Sequence, residues 1–150
     1  MATPEQRLIE LTKVEGRLEE STLAQVFDQL KPIEAEFMIG KWKGGSFESG
    51  HPVHEQLTSL KWAGKDFRSV NDVDPLMVYD NNGNRSWNTE YGHARLRDFK
   101  FRGVVSAAMV YDTFPIIDQF RYVSETMVMG AMDSKDIPEG AYFFYLTRLE

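Results

Sequence analysis

The pattern of apolar and polar residues changes at Pro32, where helical spacing gives way to alternation. Before this point, Thr3 supplies a helix N-cap, Pro4 occupies the first helical position and Gln6 completes a capping box. These signals predict a first helix over about residues 4 to 15, and Gly16 offers its end.

A second helix is predicted from Ser21, which is a suitable N-cap, to the region before Pro32, which cannot continue a helix. Its apolar residues recur at positions i, i+3, i+4 and i+7 and form one stripe, made of Leu23, Val26, Phe27 and Leu30. Such a stripe has to be covered, so we expect residues 1–34 to pack on the rest of the chain or, in a homodimer, on a second copy.

Beyond Pro32 the sequence reads as short alternating strands with turn signals at intervals of about 8 to 12 residues. This spacing is typical of an antiparallel barrel or sandwich. The segment Asn81–Asn84, "NNGN", predicts a hairpin with a type I′ turn, because Asn-Gly accepts the positive φ angles of that turn. We therefore predict a mainly β single domain, with a β-barrel over residues 35–150.

Composition narrows the classes of function. The 150 residues carry a net charge of −6, which argues against a nucleic-acid partner because backbone affinity comes from clustered Lys and Arg. No apolar run approaches the roughly 18 residues of a membrane span, and the N-terminus lacks a signal-peptide pattern, so we expect no membrane association and a cytoplasmic location. Since there is no cysteine, disulfides, thiolate nucleophiles and cysteine zinc sites are excluded.

Two glycine-containing elements adjoin each other, Gly40–Gly44 ("GKWKG") and Gly50–His54 ("GHPVH"). Neither matches a phosphate-binding loop, whose glycines must follow a strand at fixed spacing and open a helix. If the second element is helical, His51 and His54 can converge on one ion, but a zinc site needs a third ligand and only His93 remains among the histidines. We therefore predict no metal site and expect one of these two histidines to be exposed and the other to bond nearby backbone.

The element Gly-x-Trp after a short helical turn resembles the start of lipocalin-like barrels. In those barrels the Trp closes one end and an Arg of the last strand packs over it. Trp42 and Arg148, in "YLTRLE", stand at the matching positions. The segments "FMIGKWKGG", "SGHPVHEQL", "KWAGKDF", "FRGVVSAAMVYDTFPIIDQFRYV", "GAMDSK" and "YFFYLTR" are similar to the family named for its GXWXG domain, which a companion domain of unknown function follows. The resemblance covers about residues 35–149 and implies a lipocalin-like, nitrobindin-like barrel, but no particular activity.

The most unusual charged residues lie in the apolar segment "YDTFPIIDQFRYV". In an extended strand Asp118 and Arg121 lie on opposite faces, so one of them should face inward. A carboxyl facing an apolar cavity has a raised pKa and can donate a proton near neutral pH. The alternative is a structural ion pair, for which Lys65 is a candidate partner of Asp118 or of Asp133.

Two functions remain open for the barrel: a carrier or sensor of a small hydrophobic molecule, and a cofactor-independent lyase or isomerase acting on an epoxide or enol, which we favour. The candidate catalytic residues are Asp118, His51 and His54, and the candidate ligand-binding residues are Trp42, Lys65, Tyr111, Phe120 and Met132. No cofactor is expected. Haem is a weaker alternative, for which only His51, His54 and His93 could be axial ligands. No serine has a Ser-His-Asp or nucleophile-elbow pattern in the sequence, so a serine hydrolase is not expected.

Overall fold

The computed structural model describes residues 1–149, apart from the side chains of residues 138 and 139. Its α-helices are α1 (Pro4–Leu11), α2 (Glu20–Gln29) and α3 (Pro52–Leu60), and two short 3-10 helices span Ala35–Met38 and Thr89–Tyr91. The strands are β1 (Gly40–Ser46), β2 (Trp62–Ser69), β3 (Asp72–Tyr79), β4 (Arg85–Trp87), β5 (Ala94–Phe101), β6 (Val104–Tyr111), β7 (Ile116–Ser124), β8 (Met127–Ser134) and β9 (Ile137–Arg148).

Eight of the strands close into an antiparallel barrel. Their order around it is β2-β1-β9-β8-β7-β6-β5-β3, and pairing between β2 and β3 completes the circle, while β4 pairs only with β3. A closed circle removes the free strand edges of an open sheet. The narrowest seam lies between β3 and β5, which are joined by the single pair Val73 and Ala94. The predicted mainly β, lipocalin-like antiparallel barrel is confirmed.

Trp42 closes one end of the barrel. Its ring is fully buried, and its indole N–H donates to the carbonyl of Met38 in the first 3-10 helix over 2.8 Å. The guanidinium of Arg148 lies 4.2 Å from the ring centroid and donates to the carbonyls of Phe37, at 2.8 Å, and Ile39, at 3.1 Å. The predicted contact between Trp42 and Arg148 is therefore confirmed.

The second glycine of the Gly-x-Trp-x-Gly element makes room for another tryptophan. A Cβ at Gly44 would lie 2.7 Å from the ring of Trp62, which packs across β1 at this point. That distance is shorter than real Cβ contacts allow, so Trp62 could not keep its place over a larger residue. The first glycine, Gly40, has a φ of +135°, which a residue with a Cβ rarely adopts.

The two N-terminal helices cover the outer face of the barrel at β7, β8 and β9. Leu23, Val26 and Phe27 are completely buried and Leu30 nearly so, which confirms that the stripe on α2 is covered. Arg121 lies beneath α2 on this outer face and donates to the carbonyls at the end of the helix. Asp118, three residues earlier on the same strand and so on its other face, faces the interior.

The helix boundaries differ from the expectations at two points. α1 ends at Leu11 instead of near residue 15, because the Thr12 hydroxyl donates to the Ile9 carbonyl at 2.6 Å and the next amides bond in the tighter 3-10 pattern. α2 begins one residue before Ser21, and its N-cap is Glu19, whose side chain makes no capping bond.

The segment of His51 and His54 forms a third helix, α3. The sequence pattern allows a helical conformation for this segment but does not predict a helix there. Its N-cap is His51, whose Nδ1 accepts the amide of Val53 at 3.2 Å, and Pro52 takes the first helical position. Histidine is an uncommon N-cap, so the usual sequence signal was weak. The helix ends at Lys61, which takes a left-handed conformation with a φ of +58°.

The predicted hairpin at Asn81–Asn84 is present, because β3 and β4 pair on either side of it, but its turn is not of type I′. Between β3 and β4 only Gly83 has a positive φ, and the loop is held by the carboxylate of Asp80, which accepts two amides. The loop with two consecutive positive φ angles joins β5 and β6, at Arg102 (+53°) and Gly103 (+82°). Because Arg-Gly is a less familiar turn dipeptide than Asn-Gly, the sequence alone did not distinguish them.

Replacing Arg148 with alanine should lower the free energy of unfolding by about 2 to 4 kcal/mol, because it removes both the cation–π contact and charged hydrogen bonds to buried carbonyls. The matched control is Arg95→Ala, since Arg95 forms an exposed pair with Asp112 and should contribute less than about 1 kcal/mol. Chemical denaturation followed by tryptophan fluorescence gives both values. Equal losses in the two variants would contradict the role of Arg148 as the clamp of this end.

Candidate functional site

The interior holds two neighbouring chambers beneath α3. The inner one has a volume of about 40 Å³ and is lined by Val53, Leu57, Trp62, Lys65, Leu76, Tyr111, Asp118, Met132, Tyr142 and Phe144. The outer one has about 80 Å³ and shares five of these residues, Val53, Leu57, Leu76, Tyr111 and Met132. Since a water needs at least about 10 to 15 Å³ of such space, the inner chamber has room for only a few waters. Two side chains of α3 thus form part of the wall of both chambers.

A buried ion pair spans the inner chamber. The ammonium of Lys65, on β2, lies 2.9 Å from Oδ2 of Asp118, on β7, and each side chain is only 4% exposed. Lys65 also donates to the carbonyl of Pro75 over 2.9 Å. Of the two partners considered for Lys65, Asp118 therefore makes the contact, whereas Asp133 is exposed on β8.

The carboxyl of Asp118 is unusual in two respects. Burial raises its pKa, and the neighbouring Lys65 ammonium opposes this shift without cancelling it. Its second oxygen, Oδ1, has no hydrogen-bond partner within the part of the chain that the structure describes. Leaving a buried acceptor unsatisfied costs about 1 to 3 kcal/mol, so this oxygen is available to a group that enters the chamber.

Aromatic rings surround the Lys65 ammonium. Its nitrogen lies 5.7 Å from the ring centroid of Trp62, 5.8 Å from that of Tyr111 and 5.5 Å from that of Phe144. Burial, with a contribution from the Asp118 carboxylate, raises the pKa of Tyr111 well above its usual value. The Tyr111 hydroxyl thus stays protonated, and the chamber combines a cation, a carboxyl and a neutral phenol within apolar walls.

The structure brings together four of the residues that were expected to form a site: Lys65, Tyr111, Asp118 and Met132 all line the inner chamber. Phe120 packs in the barrel core, with ring centroids 6.0 Å from Phe67 and 6.2 Å from Phe144. Trp42 lies at the closed end described above. That Phe120 and Trp42 contact a ligand therefore stays a prediction, and neither residue is among those described as lining the two chambers.

The histidines are held elsewhere, and none is among the described residues that line the two chambers. His51 caps α3, and its ring centroid lies 5.6 Å from that of Tyr142. The ring nitrogens of His54 face Ser46, at 2.6 Å, and Glu48, at 3.5 Å, instead of Asp118. His93 stacks on Trp87 and pairs with Asp74.

Trp62, Tyr142 and Phe144 were not proposed as site residues, although all three line the inner chamber. The alternation of β9 carried a usable signal for Tyr142 and Phe144, because residues two apart on a strand share a face. The contact of Ser46 with His54 and with the Tyr142 hydroxyl was also missed. It depends on the direction of α3, which the sequence pattern did not give.

Two further observations on the described residues 1–149 concern metal binding and membrane spanning. Among them no cluster of three or more His, Asp or Glu side chains has the arrangement of a metal site. None of the helices in this part of the chain has the length and apolar character to span a membrane.

Replacing Lys65 with methionine should lower the free energy of unfolding by about 3 to 5 kcal/mol, because it leaves the Asp118 carboxyl buried without its counter-charge. The double variant Lys65→Met with Asp118→Leu should recover most of this loss, since it removes both charges. Asp28→Asn, in an exposed pair with Arg102, is the control and should change stability by less than about 1 kcal/mol. A double variant that is no more stable than Lys65→Met would contradict this account.

Comparison with known proteins matches a family model to each half of the chain. Residues 25–83 match the family described as GXWXG protein, and residues 92–148 match a domain of unknown function, DUF4334. The first segment contains β1 to β3 and the second β5 to β9, so the barrel is built from both.

A crystal structure of a protein from Thermomonospora curvata superposes with a TM-score of 0.92 at 39% sequence identity, over 98% of this chain and 99% of that one. No curated protein matches the chain. The two matched segments occur in the order that the sequence resemblance indicated, and the first begins at residue 25, before the start of about residue 35 that the resemblance gave. The chain therefore belongs to the GXWXG family, in its form with a C-terminal DUF4334 segment.

Proposed function

We propose that the barrel binds a small, largely apolar molecule that carries one oxygen acceptor, and that Lys65 and Asp118 transfer protons to and from it without a cofactor. The reaction class is that of a lyase or isomerase acting on an epoxide or an enolisable carbonyl compound. One observation carries the proposal: a buried ammonium and carboxyl pair faces a chamber with otherwise apolar walls. A carboxyl whose pKa is raised by burial in such a cavity, as that of Asp118 is, is a candidate for catalysis.

Lys65 is suited to bind the oxygen of the substrate. Two of its three N–H groups are directed to Asp118 and the Pro75 carbonyl, which leaves one for a ligand. An ammonium held among aromatic rings stabilises negative charge on an epoxide or enolate oxygen more strongly than it would in water. The rings that surround it would contact the apolar part of the same molecule.

Asp118 is suited to the proton transfer. Its raised pKa brings the carboxyl closer to neutral pH, where a group can both take up and release a proton. The unpartnered oxygen Oδ1 supplies the lone pair that a general base needs, while Oδ2 stays on Lys65. Because Oδ2 binds Lys65 and Oδ1 is left for the proton transfer, the Lys65–Asp118 ion pair does not have to rearrange during the reaction.

The size of the chambers adds a conformational requirement. About 40 and 80 Å³ are too small for a typical ligand pocket of about 300 Å³ or more. A substrate of more than a few atoms therefore requires the side chains of Val53 and Leu57, and with them α3, to move outward. Closure of α3 over the substrate would then exclude water from the reaction.

The second candidate is a non-catalytic carrier or sensor, in which Lys65 and Asp118 only orient the ligand. This candidate function uses the same chamber as the enzyme, and it differs from the enzyme in that no proton is exchanged with the ligand. The haem alternative has no support in the donor set, because no histidine is among the residues described as lining the chambers.

The test begins with native mass spectrometry of protein purified without added ligand, which reports any small molecule retained. Proton transfer is then measured by NMR in D₂O as deuterium incorporation next to the carbonyl of cyclopentanone, and epoxide opening with cyclohexene oxide. We expect catalysis of at least one of these reactions by the wild-type protein. Binding of either probe without any exchange or opening would favour the carrier, and a Soret band would favour haem.

Asp118→Asn should slow the catalysed reaction by about 10²- to 10⁴-fold with the fold retained. In deuterium exchange, where Asp118 acts as the base, wild-type activity should rise as pH rises through its raised pKa, because only the ionised carboxyl accepts a proton. In epoxide opening, where it acts as the acid, activity should fall over the same pH range, because only the protonated carboxyl donates. The asparagine variant should lose both dependences. Asp133→Asn is the matched control on the neighbouring strand, and should leave rate and pH profile unchanged. Unaltered turnover in Asp118→Asn with lower thermal stability would make Asp118 a structural residue.

A further inference from the structure

A second cluster of reactive side chains lies outside the two chambers. It consists of Ser46 at the end of β1, Glu48 in the loop that follows, and His54 in the first turn of α3. The reaction proposed for Lys65 and Asp118 uses none of the three. They come together because the chain reverses between β1 and α3 at Gly50, whose φ of +83° is open to glycine but to few other residues.

The distances order the three groups as nucleophile, base and orienting acid. Ser46 Oγ lies 2.6 Å from Nδ1 of His54, and Nε2 of the same ring lies 3.5 Å from Oε2 of Glu48. The other oxygen of Glu48 accepts the amide of Gly50 at 2.7 Å, which fixes the carboxylate. A serine beside a base that a third group orients is the arrangement that activates hydroxyl nucleophiles, whatever the sequence positions.

The carboxylate also biases the tautomer of the imidazole, from an ion-pair distance that is longer than an ordinary hydrogen bond. Glu48 near Nε2 favours the form that carries its proton on Nε2, and this leaves Nδ1 with the lone pair directed at the Ser46 hydroxyl. Here Nδ1 of His54 is the base and Nε2 faces the carboxylate, whereas in many hydrolases Nε2 is the base and Nδ1 faces the carboxylate. Both nitrogens have the same intrinsic basicity to within a small factor, so proton transfer works in either sense.

Tyr142 supplies a donor at the same oxygen. Its hydroxyl contacts Ser46 Oγ, and burial raises its pKa above the usual value, so that it stays protonated. When Ser46 gives up its proton and forms a bond, this O–H can turn to an oxygen on the attached carbon. A donor placed in this way stabilises the oxyanion of acyl transfer.

We propose that Ser46 is a nucleophile, activated by His54 and Glu48, that cleaves carboxylic esters of small apolar acids. The cluster is reachable, because the side chain of His54 is 24% exposed, that of Glu48 is 39% exposed and Ser46 is half-buried. Tyr142 connects the cluster to the inner chamber, because its hydroxyl contacts Ser46 while its ring lines the chamber. This activity goes beyond the one proposed above and does not depend on Lys65 or Asp118.

The two half-reactions balance without a further reagent. Ser46 Oγ forms a bond to the acyl carbon while its proton passes to His54 Nδ1. The bond from that carbon to the alcohol oxygen then breaks, and the alcohol leaves with the proton. Water attacks the acyl-serine next, giving one proton to His54, which returns it to Ser46 as the acid is released.

The first test is covalent. Wild-type protein is incubated with a fluorophosphonate, which phosphonylates activated serines with loss of fluoride, and the adduct is located by intact-mass and peptide mass spectrometry. We expect one adduct, on Ser46. His54→Gln should slow its formation by about 100-fold or more and Glu48→Gln by about 10-fold, as removal of a base or its orienting acid does in serine hydrolases.

The controls separate activation from simple exposure. His93→Gln removes a histidine that stacks on Trp87 and pairs with Asp74, away from the Ser46 cluster, and should leave labelling unchanged. Ser124→Ala removes an unrelated serine on β7 and should also have no effect. Circular dichroism verifies that every variant is folded. Hydrolysis of p-nitrophenyl butyrate should follow the same order, and Ser46→Ala should abolish it.

Several results would overturn the proposal. One is a folded wild-type protein that forms no adduct on Ser46 at millimolar fluorophosphonate. Another is an adduct that forms equally fast in the glutamine variant of His54, since this would mean that the serine is exposed but not activated. If His54→Gln does not fold, Glu48→Gln decides, because Glu48 lies in a loop and its loss should slow labelling with the fold intact.

Discussion

The contact between Trp42 and Arg148 joins the first barrel strand to the last and determines which end of the barrel is closed by packed side chains. Arg148 lies against the indole face and donates hydrogen bonds to three backbone carbonyls, those of Phe37, Ile39 and Glu125. A guanidinium suits this position because its planar face stacks while its edge donates in several directions. With this end closed by side chains, any accessible space has to lie towards α3, and that is where both chambers are found.

The interior is therefore graded from a dry, tightly packed end to an end that contains charge. Around Trp42 and Phe120 the packing is aromatic and fully buried. Lys65, the cross-strand neighbour of Trp42 on β2, and Asp118 on β7 face each other across the inner chamber. A buried pair of this kind rarely stabilises a protein relative to apolar residues of similar volume, because both charges lose their hydration. Its presence in a barrel that could otherwise be filled with side chains is easier to explain by a role in binding or chemistry than by stability.

The sequence was sufficient for the fold and for part of the site. Alternation on β7 placed Asp118 and Arg121 on opposite faces, so one charge had to be buried inward, but alternation cannot say which. The choice depends on α2, whose terminal carbonyls accept the Arg121 guanidinium on the outer face. Lys65 was recognised as a partner of Asp118 or Asp133, and the decision between them needed the curvature of the barrel. Such tertiary facts have no local signature, whereas strand period, helix stripe and the Gly-x-Trp element do.

Helix α3 is the element that pattern reasoning described least well and on which the functional arguments depend most. Its inner face closes the chambers with Val53 and Leu57, and its first turn carries His54 to Ser46. Tyr142 connects these two roles, since its ring lines the inner chamber while its hydroxyl meets Ser46. An outward movement of α3 would enlarge the space above Lys65 and Asp118 and at the same time draw His54 from Ser46. The two clusters therefore impose opposite requirements on one helix: acid-base chemistry on a ligand in the chamber needs α3 to open for entry, whereas activation of Ser46 needs its first turn to stay in place.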